Sequence, residues 1–207
     1  VVADPELGRR VVVRLEPAIF AGVVALLATA YLVPRSDDRQ DADFRSELRV
    51  LGRPQVLLGL LMTVLGFGGV FAAFTYIAPI LTDITGFQAG AVSPILLLFG
   101  VGLVGGNLLG GKFADKYLMP TLVVSLVLLA GVLVLFSFTS HYKLAAVITV
   151  GLLGAAAFAT VPPLQMRVLE KATGAPNLAS SVNIAAFNLG NALGAWLGGV
   201  TIDHGPG

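Results

Sequence analysis

The sequence predicts an all-α, polytopic membrane helix bundle of about six transmembrane helices, and three observations carry that reading. Of its residues, 56% are hydrophobic and 12% charged, with a mean hydropathy of +0.88, whereas soluble domains carry roughly twice that charge. Charge-free windows at 17–34, 54–82, 84–111, 117–142, 144–166 and 172–202 divide the chain. All but the first exceed the roughly 20 residues that span a bilayer as a helix, and the first is just adequate. Windows this long are not barrel strands, because lipid offers the backbone no partners and a helix satisfies its own.

Composition also sets limits on function. A net charge of +1, with no basic stripe interleaved with aromatics, makes no case for nucleic acid. Cysteine is absent, which excludes disulfides, thiolate metal sites and cysteine nucleophiles. His141 and His204 are isolated at expected helix ends, so no metal site is expected. No HExxH, GxSxG or Walker pattern occurs, and Asp83, Asp115 and Glu170 fall in expected loops. Neither an enzyme nor a cofactor is therefore expected, and the lipid bilayer is the first partner. The chain starts at Val1 and stops just after an apolar helix, so a fragment of a longer protein is the expectation.

Residues 1–16, with Val11, Val12 and Val13 set among Arg9, Arg10 and Arg14, have no helical period and no function in this reading. The first span runs between Pro17 and Pro34. From Arg35 to Arg53 five arginines alternate with five acids, and Phe44, Leu48 and Leu51 form an i, i+4, i+7 stripe. That is a linker with a short amphipathic helix on the membrane surface. It separates 1–34 from the helices of 55–207.

The second span carries Thr63, Phe67, Phe71 and Phe74 within about 80° of one another on a helical wheel. Its glycines and Pro79 are expected to let it bend. The third ends in Gly106-Asn-Leu-Leu-Gly-Gly-Lys-Phe-Ala-Asp-Lys116, an apolar run closing on Lys112, Asp115 and Lys116. Its Gly-Asn-x-Leu-Gly motif returns at Gly190-Asn191-Ala192-Leu193-Gly194, and its Gly-Gly-x-x-x-Asp at 198–203. Two echoes in the same order point to an internal repeat, a common way of building transporters. The fourth span is a plain Leu/Val helix that leads to the turn at Ser140–Lys143, the fifth carries Pro162-Pro163 and ends at Arg167, and the sixth follows a short loop at 170–176.

Nine basic residues (five in the linker, Lys112, Lys116, Arg167 and Lys171) fall on one face of this arrangement, which the positive-inside rule makes cytoplasmic. Tyr142 and Trp196 then lie near the outer interface. In the sixth span Asn183, Phe187 and Asn191 share a stripe with the Gly190, Gly194, Gly198 ridge, while Asn188 points about 140° from Asn183. Amides in a membrane helix avoid lipid because an unsatisfied one is costly there. Helix–helix glue and the lining of a substrate path both satisfy that demand. Gln165 and Asn107, near the cytoplasmic end, are expected to snorkel to water. Asp115 and Arg167 share the cytoplasmic interface and are expected to form charge-assisted hydrogen bonds.

The pattern Gly111-x-x-Ala114-Asp115-Lys116 resembles the second copy of the cytoplasmic loop motif of the major facilitator superfamily, although Leu118 and Met119 replace its later glycine and arginine positions. Residues 183–195, Asn-Ile-Ala-Ala-Phe-Asn-Leu-Gly-Asn-Ala-Leu-Gly-Ala, are similar to the eleventh helix of arabinose- and sugar-efflux-type permeases, close to the drug:proton antiporters. The resemblance covers about residues 17–205. It implies a partial major facilitator fold, helices six to eleven of twelve: 1–34 would hold the last helix of a first bundle, 35–54 the cytoplasmic interdomain linker, and 55–207 five helices of the second bundle. It also implies a secondary active transporter in a bacterial-type inner membrane, exporting a sugar or drug-like molecule as a proton antiporter, with the first bundle of the same protein as its missing partner. Thr63, Phe67, Phe71, Phe74, Asn183, Phe187 and Asn191 would line the substrate cavity. Gly111, Asp115, Lys116 and Arg167 would form a conformational gate. The competing reading is a polytopic membrane enzyme or assembly scaffold that does not transport.

Overall fold

A computed structural model of the chain describes residues 44–204 and, ahead of them, helical residues at 20, 22–29 and 31–32. These belong to separate units, 1–42 and 43–207, each considered by itself. The helical residues of the first unit lie within the first expected span; the tail at 1–16 and the linker at 35–43 fall outside the described residues. Among the described residues there is no strand.

The second unit opens with helix α1 (Phe44–Leu51). Val50, off the expected stripe, is buried, Leu51 of that stripe is half-buried against the same core, and Leu48 stays exposed. Val50 packs with Val56, Val168, Ala172, Ala175 and Ala179 in a small core where α1 meets the bundle. Helix α1 is therefore docked on the bundle through Val50 and Leu51. Arg53 strengthens the junction by donating to the Thr173 carbonyl at 3.3 Å.

Helix α2 (Pro54–Phe74) begins with proline in its first turn, where the missing N–H costs nothing. The expected second span continues beyond it but is broken. Pro79 cannot donate to the carbonyl of Thr75, and the chain restarts as α3 (Ile77–Pro79), followed by a π-helical turn at Ile80–Ile84. The bend thus falls at Thr75–Tyr76, outside the glycine cluster. Gly86, at φ +76°, then reverses the chain.

Helix α4 (Ala89–Lys116) keeps its hydrogen bonding through Lys112, Asp115 and Lys116 and stops at Tyr117. Lysines in a last turn suit the helix dipole, so a charge cluster need not end a helix. The loop expected around Asp115 is a helical turn, and Tyr117 alone links α4 to α5 (Leu118–Thr139). The fifth span divides into α6 (Lys143–Ala159) and α7 (Val161–Lys171) at Thr160, because Pro162 and Pro163 supply no N–H to the preceding turn. Its helix runs to Lys171, so Glu170 is helical too, and Gly174 at φ +101° helps turn the chain. Helix α8 (Pro176–His204) completes the unit and carries Asp203 in its last turn.

Four helical stretches are long and apolar enough to cross a membrane: Pro54–Phe74, Ala89–Lys116, Leu118–Thr139 and Lys143–Lys171. Helix α8, at 29 residues, is long enough. It is not among the four, and its four asparagines and many glycines explain its lower hydropathy. Two close helix pairs organise the packing. On α4, a Cβ added to Gly102, Gly106 or Gly110 would overlap backbone atoms of Gly151, Ala155 and Ala159 on α6. On α8, one added to Gly190 would lie 2.6 Å from the Val64 carbonyl of α2, and one at Gly194 would overlap Gly68. Both glycine ridges are contact surfaces, that of α4 against α6 and that of α8 against α2.

Candidate functional site

The α2–α8 pair collects most of the candidate residues. Glycine at 190 and 194 draws the backbones together, so short polar side chains meet directly. Thr63 Oγ1 donates to Asn183 Oδ1 at 2.8 Å. Asn183 Nδ2 donates to Gln165 Oε1 at 2.6 Å, and Gln165 Nε2 donates to Ser180 Oγ at 2.9 Å. The relay joins α2, α7 and α8, and Thr63 and Asn183 are fully buried. Gln165, expected to snorkel, is its middle member. The Pro162-Pro163 interruption separates α7 from α6, and α7 then carries Gln165 beside α8.

Further along α2 and α8 the same face becomes aromatic. Phe67 and Phe187 meet edge-to-face with centroids 4.6 Å apart, and Phe67 and Phe71 stack at 6.2 Å. Phe71 touches Phe74, and Phe74 lies 4.6 Å from Phe99 of α4. Phe158 of α6 closes the set against both Phe67 and Phe99. Such contacts add roughly 0.5–1.5 kcal/mol per pair beyond area burial. The two stripes therefore touch each other as packed side chains. Their upper members are packed together inside the bundle: Thr63, Phe67 and Asn183 are buried, and Phe71, Phe74 and Phe187 half-buried. Asn191 lies one turn beyond Phe187, and its Oδ1 is buried without a hydrogen-bond partner. Asn188 is exposed and donates to Ile184 of its own helix at 3.0 Å.

Sequence reasoning missed Phe99, Phe158, Gln165 and Ser180. Phe99 and Phe158 are single aromatics on separate helices, and only packing makes them neighbours. Gln165 alone left a trace, as a polar amide within a charge-free window.

The four gate candidates are divided. Gly111 packs against Pro162, within 3.9 Å of its ring for an added Cβ, so the end of α4 rests on the kink between α6 and α7. Arg167 does not pair with Asp115 in this structure: its Nη1 lies 3.2 Å from Glu170 Oε2, and Lys171 reaches the other oxygen at 3.0 Å. An i, i+3 partner on one helix is met without aligning two helices. Asp115 is exposed, and Lys116 turns toward Tyr117, its Nζ 5.0 Å from the ring centroid. Among the described residues no group of three or more metal-ligating side chains occurs.

A bundle of long apolar helices, paired at glycine ridges and broken at proline, is built as an integral membrane protein. The chain belongs to the Major Facilitator Superfamily, whose family model matches residues 16–198. It is 47% identical over 186 residues to the inner membrane transport protein YdhP of Escherichia coli O157:H7, covering 90% of this chain and 48% of the relative. It is 34% identical to the putative transporter AraJ of Escherichia coli K12, over 88% of this chain and 47% of that one. A chloramphenicol resistance protein of Streptomyces lividans is 36% identical, over 79% and 42% respectively. The chain thus spans about half the length of the curated relatives it matches.

Proposed function

We propose that the protein carrying this chain is a secondary active transporter that exports a small organic molecule, a sugar or drug-like compound, in exchange for protons across a bacterial-type inner membrane. The convergence of Phe67, Phe71, Phe74 and Phe187 with the Thr63–Asn183–Gln165 relay on one face carries this reading. Aromatic faces grip apolar or ring-bearing molecules, and amides orient hydroxyl or carbonyl groups. Asn191 Oδ1 is an acceptor with unused capacity beside them. Membership of a transporter superfamily supports transport, and the resistance protein among the relatives supports drug-like cargo.

In this reading residues 55–207 are the first five helices of a second bundle, 35–54 the interdomain linker, and 1–34 a tail with the last helix of a first bundle. The chain alone does not transport, because alternating access moves two bundles about a shared site. Gly111, Asp115, Lys116 and Arg167 form the cytoplasmic gate, with Arg167 exchanging Glu170 for Asp115 in another state of the cycle. Asp115→Asn then shifts the balance between inward- and outward-open forms.

The test is uptake of labelled chloramphenicol and arabinose into inverted liposomes holding the intact protein, with an imposed pH gradient. Gradient-dependent accumulation of one compound is expected, falling roughly tenfold in Phe67→Ala, as loss of aromatic contacts predicts. Asn188→Ala should leave it unchanged. Flux that ignores Phe67→Ala would overturn the assignment of the site. Failure of both compounds to move would overturn the substrate class.

A further inference from the structure

A second hollow lies away from the amide and aromatic face. Between α4, α5 and α6 runs an apolar groove of about 760 Å³. Gly105, Leu109 and Phe113 of α4, with Tyr117 just beyond its end, form one wall, Val124 and Leu128 of α5 the other, and small residues of α6 the floor. Its origin is visible in the glycines. Gly102, Gly106 and Gly110 are needed where they are, because side chains there would overlap α6. Gly105 is not: a Cβ added there meets nothing within 4 Å. Close packing of α4 on α6, with no side chain at 105, leaves the wall facing α5 recessed. Leu109, Phe113, Val124 and Leu128 are each more than half exposed along it. In hydrocarbon such a lining gains dispersion contacts only from something that enters the hollow.

The cytoplasmic mouth is positively charged. On a helical wheel Lys116 falls about 60° from Phe113 and Lys112 about 100°, on the Gly105–Leu109 side of the groove. Tyr117, which lines the mouth, carries Lys116 Nζ 5.0 Å from its ring centroid, and both lysines are exposed. Asp115 stands about 160° round the helix from Phe113 and so faces away. Basic side chains beside an apolar cleft at the cytoplasmic leaflet match an anionic headgroup joined to an acyl chain.

We propose that this groove seats one acyl chain of an anionic phospholipid whose phosphate is held by Lys112 and Lys116. The site is separate from the transport face, and its occupant holds α5 against α4 from the lipid side.

The test is native mass spectrometry of the delipidated intact protein, titrated with dioleoylphosphatidylglycerol or dioleoylphosphatidylcholine. Wild-type protein should retain one more phosphatidylglycerol than phosphatidylcholine. The double variant Lys112→Gln/Lys116→Gln should weaken that binding roughly tenfold, as expected for two lysines near an anionic phosphate. Gly105→Leu should fill the groove and abolish it. Gly100→Leu, whose added atoms also meet open space but about 140° round the same helix, should keep it. Gel-filtration profiles confirm that each variant is folded. Equal retention of the two lipids, or a phosphatidylglycerol preference that survives either the lysine variant or Gly105→Leu, would overturn the proposal.

Discussion

The α4–α6 and α2–α8 contacts are built from the same glycine ridge and differ in what they carry. In α4–α6 the ridge of Gly102, Gly106 and Gly110 meets Gly151, Ala155 and Ala159, and Gly154 returns the approach against Phe99. Among the described residues no side-chain hydrogen bond crosses that interface. In α2–α8 the ridge of Gly190, Gly194 and Gly198 meets Val64, Gly68, Ala72 and Tyr76, and polar bonds cross it. Thr63 bonds Asn183, and Tyr76 Oη donates to the Ala195 carbonyl at 2.9 Å. Glycine supplies closeness in both. The polar bonds set the register of only one. The candidate transport face lies on the bonded pair.

Variants break this comparison in descending order of effect. Gly106→Leu should be the most severe, because its Cβ would overlap the Ala155 backbone and neither helix can yield. A loss of 3 kcal/mol or roughly more is expected, at the upper end of overpacking costs, measured by thermal unfolding of the intact protein in micelles. Gly105→Ala, one residue away and facing open space, should stay within about 0.5 kcal/mol of wild type. Equal damage from both would show that ridge packing is not what holds α4 to α6.

Asn183→Ala comes next. It strips Thr63 and Gln165 of their shared partner in a buried site, at a cost of about 1–3 kcal/mol. Asn183→Asp is the sharper probe: it keeps the acceptor for Thr63 but loses the donor to Gln165. Its destabilisation should ease as pH falls and a carboxylic acid replaces the buried carboxylate. Tyr76→Phe removes one interhelical bond at the outer end and should cost about 0.6 kcal/mol, the average for such bonds in membranes. Asn188→Ala should be nearly silent, since that amide is exposed and bonds only its own helix. An Asn188 effect as large as that of Asn183 would dissolve the distinction between the two faces of α8.

Much of this architecture was legible in the chain. The charge-free windows located the helices because removing a charge from water is costly at any position in a bilayer, whatever its neighbours. The two stripes, Thr63/Phe67/Phe71/Phe74 and Asn183/Phe187/Asn191, were visible because helical period alone sets which residues share a face. The Gly-Asn-x-Leu-Gly echo pointed to the two ridges that the fold uses as contacts. Helix ends were harder to read. Charge reads as a stop signal at Lys112 and Arg167, whereas α4 and α7 run on to Lys116 and Lys171, since backbone bonding continues through charged residues at a helix end.

Sequence alone therefore determined the membrane setting, the helices and the face each presents, because these follow from transfer free energy and local periodicity. Tertiary structure decided the partners. Gln165 joined the relay because α7, set off by the Thr160 break, approaches α8. Phe99 and Phe158 completed the aromatic cluster because α4 and α6 meet at glycine. Arg167 took Glu170 because α7 extends far enough to place that acid three residues along the same helix. The first two of these choices depend on interhelical distances of a few ångströms, which no single helix's sequence encodes; the third is local to α7 and needed only the true end of that helix.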